Sequence, residues 1–166
     1  MLNLSRQKGV IKIEIKYLQK LLHKALIYRL MTNINVFLKN ANIRHYQLSE
    51  GTRRAKNWFN DAYNNNEDIQ LSSLSKIMAF INSIDKIEKY QLSDLFDEKV
   101  LLITTVMMSL GDEETNHIHT FINSERDLFK DLIGDWGTLE AKKKLTELEQ
   151  KHFKIVESLV AKEENN

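Results

Sequence analysis

Apolar residues recur along this chain with a helical period. Ile15, Leu18, Leu22, Ala25 and Leu26 follow helical spacing, while Lys12, Lys16, Lys20 and Lys24 recur every four residues on another face. This predicts a basic amphipathic helix. Its start is ambiguous, because Val10-Ile11-Lys12-Ile13-Glu14-Ile15 alternates as a strand would. Ile34, Phe37, Leu38 and Ala41 stand at i, i+3, i+4 and i+7, a helix over 33–41 with Thr32 or Asn33 as N-cap. A short helix over 44–50, with Tyr46 and Leu48 as core, ends near Gly51. Ala55, Trp58, Phe59 and Ala62 predict a helix over 53–63, and the polar run 64–68 is a loop. Leu71, Leu74, Ile77, Met78 and Ile81 predict another helix, able to continue through Ile84 and Ile87. The longest stripe is Leu92, Leu95, Phe96, Val100, Ile103, Met107 and Leu110, with Gly111 placed as its stop. Ile118, Phe121, Ile122, Phe129, Leu132 and Ile133 form a further stripe ending near Gly134 and Gly137, where Trp136 plugs the junction. A last helix runs from about Thr138 to about Lys162. No 20–50-residue repeat is present. The expected class is all-α, with about seven to nine helices.

Composition agrees. Of 166 residues five are Gly and none is Pro, too few turn formers for a sandwich or barrel. The absence of Cys removes disulfides, thiolate zinc sites and a cysteine nucleophile. No apolar run approaches the ~18 residues that span a membrane, and no secretory cleavage pattern follows residue 1. The expectation is a cytoplasmic protein without membrane contact.

The net charge of +1 conceals an asymmetry. Residues 1–30 carry seven basic side chains and one acid, residues 31–98 carry eight and nine, and residues 99–166 carry nine and thirteen. We therefore divide the chain into a basic N-terminal segment (1–30), a central domain (31–98) and a helical C-terminal region (99–166). Three readings of the basic segment stay open: a phosphate-tracking arm, a membrane-surface helix, or a partner helix. Beside them stands a helix that packs on the body with its lysines in water. Translation from Met31, a natural domain start, would remove the segment and leave a net charge of −5.

Within 33–97 the run Tyr46-Gln47-Leu48-Ser49, then Gly51-Thr52, then Ala55-Lys56-Asn57-Trp58-Phe59-Asn60 resembles the Cro/cI-like (Xre-type) helix-turn-helix family. Gln47 stands where that family opens its second helix, Leu48-Ser49 where a Leu and a small residue pack, and Phe59 at an anchor of the third helix. Leu71–Ile77 resembles the next family helix, and Ser93-Asp94-Leu95-Phe96 approximates the closing signature. The resemblance covers about 65 residues. The chain departs from the pattern in three places. Arg53 stands where the turn glycine is expected, Arg54 replaces an aliphatic anchor, and about seven extra residues separate Ile81 from Leu95.

The resemblance implies a lambda-repressor-like domain that binds double-stranded DNA. Such a motif lays its recognition helix in the major groove, N-terminal residues foremost. Arg53, Arg54 and Lys56 cluster at that end, with Asn57 and Asn60 offset by three. Arg reads guanine and Asn reads adenine. Arg44, His45 and Gln47, at the start of the second helix, are candidate phosphate contacts. An arginine pair near a helix N-terminus opposes the dipole, a cost easier to understand if an anion binds there. The alternative is a solvated charge cluster beside a packing Trp58.

In the last helix Leu145, Leu148, His152, Ile155 and Leu159 alternate four/three over two heptads. We read Leu145, Leu148, Ile155 and Leu159 as a candidate homodimer stripe, with a core helix as the bland alternative. Glu113, Glu114, His117 and His119 lie close in sequence without an evident third ligand on one face, so no metal site is assigned. No phosphate loop, nucleophile elbow or HExxH occurs; no catalytic residue, enzyme activity or cofactor is expected.

The expected function is a DNA-binding transcriptional regulator or repressor. Abundant Ile (16), Lys (18) and Asn (15) suggest an A/T-rich genome, a low-GC bacterium or its phage or mobile element. The alternative is a protein-binding inhibitor: the Tyr46–Asp61 pattern also resembles anti-CRISPR proteins with an autoregulatory N-terminal helix-turn-helix domain. Residues 99–166 would then receive the protein partner.

Overall fold

A computed structural model describes residues 15–111, 118–137 and 139–162. The chain is all-α: every regular element among the described residues is helical. The order is α1 (Ile15–Asn40), α2 (His45–Gly51), α3 (Trp58–Asn65), α4 (Leu71–Ile84), one 3-10 turn (Leu92–Leu95), α5 (Glu98–Gly111), α6 (Ile118–Ser124), α7 (Arg126–Trp136), α8 (Leu139–Lys142) and α9 (Glu147–Lys162). Among the described residues no helix is long and apolar enough to cross a membrane.

Residues 15–30 of the basic segment and the expected 33–41 helix are one continuous helix, α1, of 26 residues. Thr32 and Asn33 are not caps. The Thr32 hydroxyl donates back to Tyr28 O at 2.8 Å, and Asn33 reaches across to Leu95 O at 2.9 Å. No Gly or Pro interrupts the apolar stripe between them, so nothing locally stops the helix.

Two hydrophobic clusters meet along α1. Leu18, Leu21, Leu22 and Ala25 pack with Ile103, Val106 and Leu110 of α5 and with residues of α6, α7 and α9. One turn later Ile27, Met31, Ile34 and Leu38 pack with Leu48, Phe59, Ile77, Ile81 and Leu95. Trp136 sits in the first cluster, 2% exposed, its ring 5.0 Å from that of Tyr28.

Charged groups lock the helices. Asp97 caps α5 by accepting from Val100 N–H at 2.9 Å, while the Arg29 guanidinium donates twice to its other oxygen, at 2.9 and 3.0 Å. Burial pushes the Asp97 carboxyl up, but the Val100 amide, Arg29 and Asn33 together hold it below the ordinary carboxylate range. Thr146 and Glu149 form a capping box at the start of α9, with Thr146 N–H donating to Glu149 Oε2 at 2.8 Å. Lys24 of α1 binds the same oxygen at 2.6 Å and Lys144 O at 2.9 Å, so this lysine is tied to the body and only partly in water. Glu149 is 5% exposed; burial raises its pKa, and Lys24 with Thr146 outweighs that and lowers it.

Several expected helices are shorter. The 53–63 helix begins only at Trp58. The 92–110 stripe breaks at Phe96–Asp97, where Asp97 starts a new helix. The 118–133 stripe breaks at Glu125, and Gly134 lies inside α7. The last helix starts at Glu147 because its capping box sits there. α4 stops at Ile84; Asp85 accepts from Ile87 and Glu88 N–H, which folds a turn and leaves Ile87 96% exposed. Tyr46 and Leu71, expected in the core, are exposed. Val10–Glu14 of the alternating start, and the backbone of Glu113, Glu114 and His117 with the side chain of His119, lie outside the described residues.

Candidate nucleic-acid interface

The α2–α3 unit is built from a short helix, a six-residue connection and a second short helix. Leu48 and Ser49 are fully buried and seat α2 on the core. The Ser49 hydroxyl donates to His45 O at 3.0 Å and accepts from Phe59 N–H at 3.0 Å. A helix leaves its first backbone N–H groups without internal partners. Here one of those of α3 is satisfied by a side chain from α2, which fixes the second helix against the first.

The connection turns at Arg53, whose φ is 59°, in the left-handed region that favours glycine. Thr52 and Arg54 hold it from both sides: Thr52 Oγ1 donates to Leu48 O at 2.9 Å, and Arg54 N–H to Ser49 O at 2.8 Å. The turn therefore sits where the sequence pattern places its glycine, with arginine in the glycine's conformation. Gly51 has a different task. It lies at the end of α2 without positive φ, and a Cβ there would overlap the edge of the Phe80 ring of α4, which would have to shift.

The candidate residues differ in how far they are engaged. Arg44, Arg53, Lys56, Asn57 and Asn60 are exposed around the N-termini of α2 and α3. Lys56 lies over the Tyr46 ring at 5.6 Å. Arg53 shares an open concavity of about 410 Å³ with Lys76, Ala79 and Phe80, so Lys76 joins the cationic surface. His45, by contrast, is half-buried. Its ring contacts Asn35 Oδ1 at 2.9 Å and Asn60 Oδ1 at 3.4 Å, and meets the Phe59 ring edge-on at 4.9 Å. It bridges α1, α2 and α3. Gln47 accepts from Arg44 N–H at 2.8 Å and so caps α2. Arg54 donates to Ser73 Oγ at 2.8 Å and lies over the ring of Trp58, the first residue of α3, at 5.1 Å, lining a cleft of about 210 Å³ between α3 and α4. Asp61 and Asn64, which spacing alone did not single out, are exposed on α3 beside Asn57 and Asn60.

The candidate dimer stripe is used within the chain. Leu145 and Ile155 are buried in the first cluster, Leu159 packs against it, and Leu148 is 50% exposed. A dimer through this face would have to open the chain's own core. Among the described residues no three His, Asp or Glu side chains converge as metal ligands.

No family model matches the chain, and no curated protein or solved structure matches it.

Proposed function

We propose that the chain is a sequence-specific DNA-binding regulator of a phage or mobile element, acting in the cytoplasm. In this reading α2, its turn and α3 work as a helix-turn-helix of the Cro/cI-like kind. The supporting observation is the left-handed Arg53 between two short helices locked by Ser49. Arg44 at the start of α2, and Arg53 and Lys56 in the connection to α3, are all exposed, and Lys56 reaches back over Tyr46 of α2. Arg44, Arg53, Lys56 and Lys76 supply the phosphate term, His45 and Gln47 hold the elements in place, and Arg54 braces α3 against α4. Two copies would occupy paired half-sites, as such readers do.

The test is a mobility-shift titration with duplex from upstream of the chain's own gene, at several salt concentrations. With four cations on phosphate, log affinity should fall against log salt with a slope of about −3 to −4. Replacing Arg44 and Lys56 with Ala should reduce that slope by about 2. Salt-independent retention, or none at low salt, removes the reading.

One observation favours a second role, binding of a protein. α5 has no charged residue from Val100 to Leu110 and exposes Leu101, Leu102 and Met108 at 55%, 41% and 73%. Thr104, Thr105 and Ser109 share that exposed surface, which is therefore uncharged rather than wholly apolar, and large apolar side chains grouped at a surface mark a contact for a partner. This suits the inhibitor alternative, in which the α2–α3 unit regulates its own gene and the C-terminal half binds a nuclease. A stable complex with such a nuclease at moderate salt would support it.

A further inference from the structure

α3 presents opposite faces to the core and to solvent. At about 100° per residue, Phe59 and Ala62 share the buried side. Asn57, Asn60, Asp61 and Asn64 fall within an arc of roughly 100° centred opposite them, and all four are exposed. No cation stands in that arc. Arg53 and Lys56 precede it in the connection, and Lys56 reaches back over the Tyr46 ring of α2.

We propose that this face reads base edges in the major groove, and that its preferred half-site is rich in adenine. The inference rests on the DNA-binding reading above. The chemistry is a matter of donors and acceptors. A carboxamide offers one acceptor and two donors, which match the N6 amine and N7 of adenine in a bidentate pair. Guanine presents two acceptors, O6 and N7, and calls for a guanidinium or ammonium. The face holds three carboxamides and neither of those cations. From Asn57 to Asn64 the helix rises about 10 Å, the length of about three base-pair steps.

Asp61 adds discrimination. Its carboxylate accepts only, so it suits the N4 amine of cytosine. It also stands where a misplaced phosphate would meet a like charge, which penalises docking out of register. His45 is a positioning residue for this face. Anchored on Asn35 at 2.9 Å, its ring lies 3.4 Å from Asn60 Oδ1 and limits how that amide turns.

The experiment is selection from a random duplex pool by the full chain, followed by sequencing of the retained pool. It is repeated with Asn57→Ala, Asn60→Ala, Asn64→Ala and Asn60→Gln. The expected core holds adenines within about three base pairs. Each Ala variant should lose preference at one position, by about tenfold to a hundredfold for a bidentate pair worth ~1–3 kcal/mol. Asn60→Gln keeps a carboxamide and should retain an adenine preference, and circular dichroism checks that every variant is folded. A guanine-centred core unchanged by the Asn variants would assign reading to arginine and overturn the inference while DNA binding stands. Retention without sequence preference would also overturn it. No retention at low salt would remove the DNA-binding reading itself.

Discussion

Ser49→Ala is a sharp test of how the α2–α3 unit is held. Ser49 is fully buried, and its hydroxyl is the acceptor found for Phe59 N–H, beside a side chain that is itself fully buried. Alanine keeps the methylene and removes the acceptor. The exchange leaves a buried backbone donor without a partner, which costs about 1–3 kcal/mol, the desolvation penalty of that group. The hydroxyl's own bond back to His45 O is redundant within α2, since that carbonyl also lies in the helical ladder. We therefore expect a loss of about 2 kcal/mol in urea unfolding, with the slope unchanged. For a chain of this size that lowers Tm by roughly 4–8 °C. Thr105→Ala is the control: its exposed hydroxyl donates to Leu101 O within α5, and its loss should stay within about 0.5 kcal/mol. Hydrogen exchange localises the effect, with the Phe59 amide losing protection beyond the global change. A Ser49→Ala chain within 0.5 kcal/mol of the parent, with that amide still protected, would refute the account of how α3 is fixed.

Other outcomes follow from the same contacts. Arg53→Gly should raise stability while lowering DNA affinity. The left-handed torsion costs arginine roughly 1–2 kcal/mol and glycine's unfolded freedom returns roughly 0.5–1 of it, a net gain of about 0.5–1 kcal/mol that raises the denaturant midpoint at unchanged slope. Glu149→Gln should cost about 2–3 kcal/mol at pH 7, less than the ~3–5 of a fully buried pair because Lys24 remains a quarter exposed. Glu149 has a lowered folded pKa, so its contribution is full above its ordinary value near 4.5 and fades as pH falls through the folded one. The gap between parent and variant should close over that acid range in pH-dependent melts. Deleting residues 1–30 removes Leu18, Leu21, Leu22 and Ala25 from the first cluster. At ~1.5–3 kcal/mol per buried leucine the loss rivals the whole ~5–15 kcal/mol stability of a domain, so the shortened chain should show little cooperative melting.

Much of the core was legible in the helical period. Leu18, Leu22, Ile34, Leu38, Leu48, Phe59, Ile77 and Ile81 all lie where spacing puts a core face, and all are buried. Interruptions were less legible, because they depend on partners remote in sequence. Thr32 and Asn33 look like caps in isolation, and only the proximity of Leu95 reveals Asn33 as a cross-link. The Leu145–Leu159 stripe has the spacing of an interface, but period does not say whose surface covers it; here α1 and α7 do. At the candidate interface, the family resemblance marks Arg44, Arg53, Arg54, Lys56, Asn57 and Asn60, all of which are exposed. It does not reveal that His45 is half-buried on Asn35, or that Arg54 is bonded to Ser73, because those partners lie 10 and 19 residues away.

The length of α1 makes it a lever. It is about 39 Å long at 1.5 Å per residue, and one stiff rod serves both clusters. Toward its start Lys24 is gripped by Glu149 of α9; near its end Asn35 holds His45 of α2. A helix tilts or turns as a unit. A partner that shifts α9 therefore pulls on the seat of α2 without any intervening linker, and a load on α2 is felt at α9 in return.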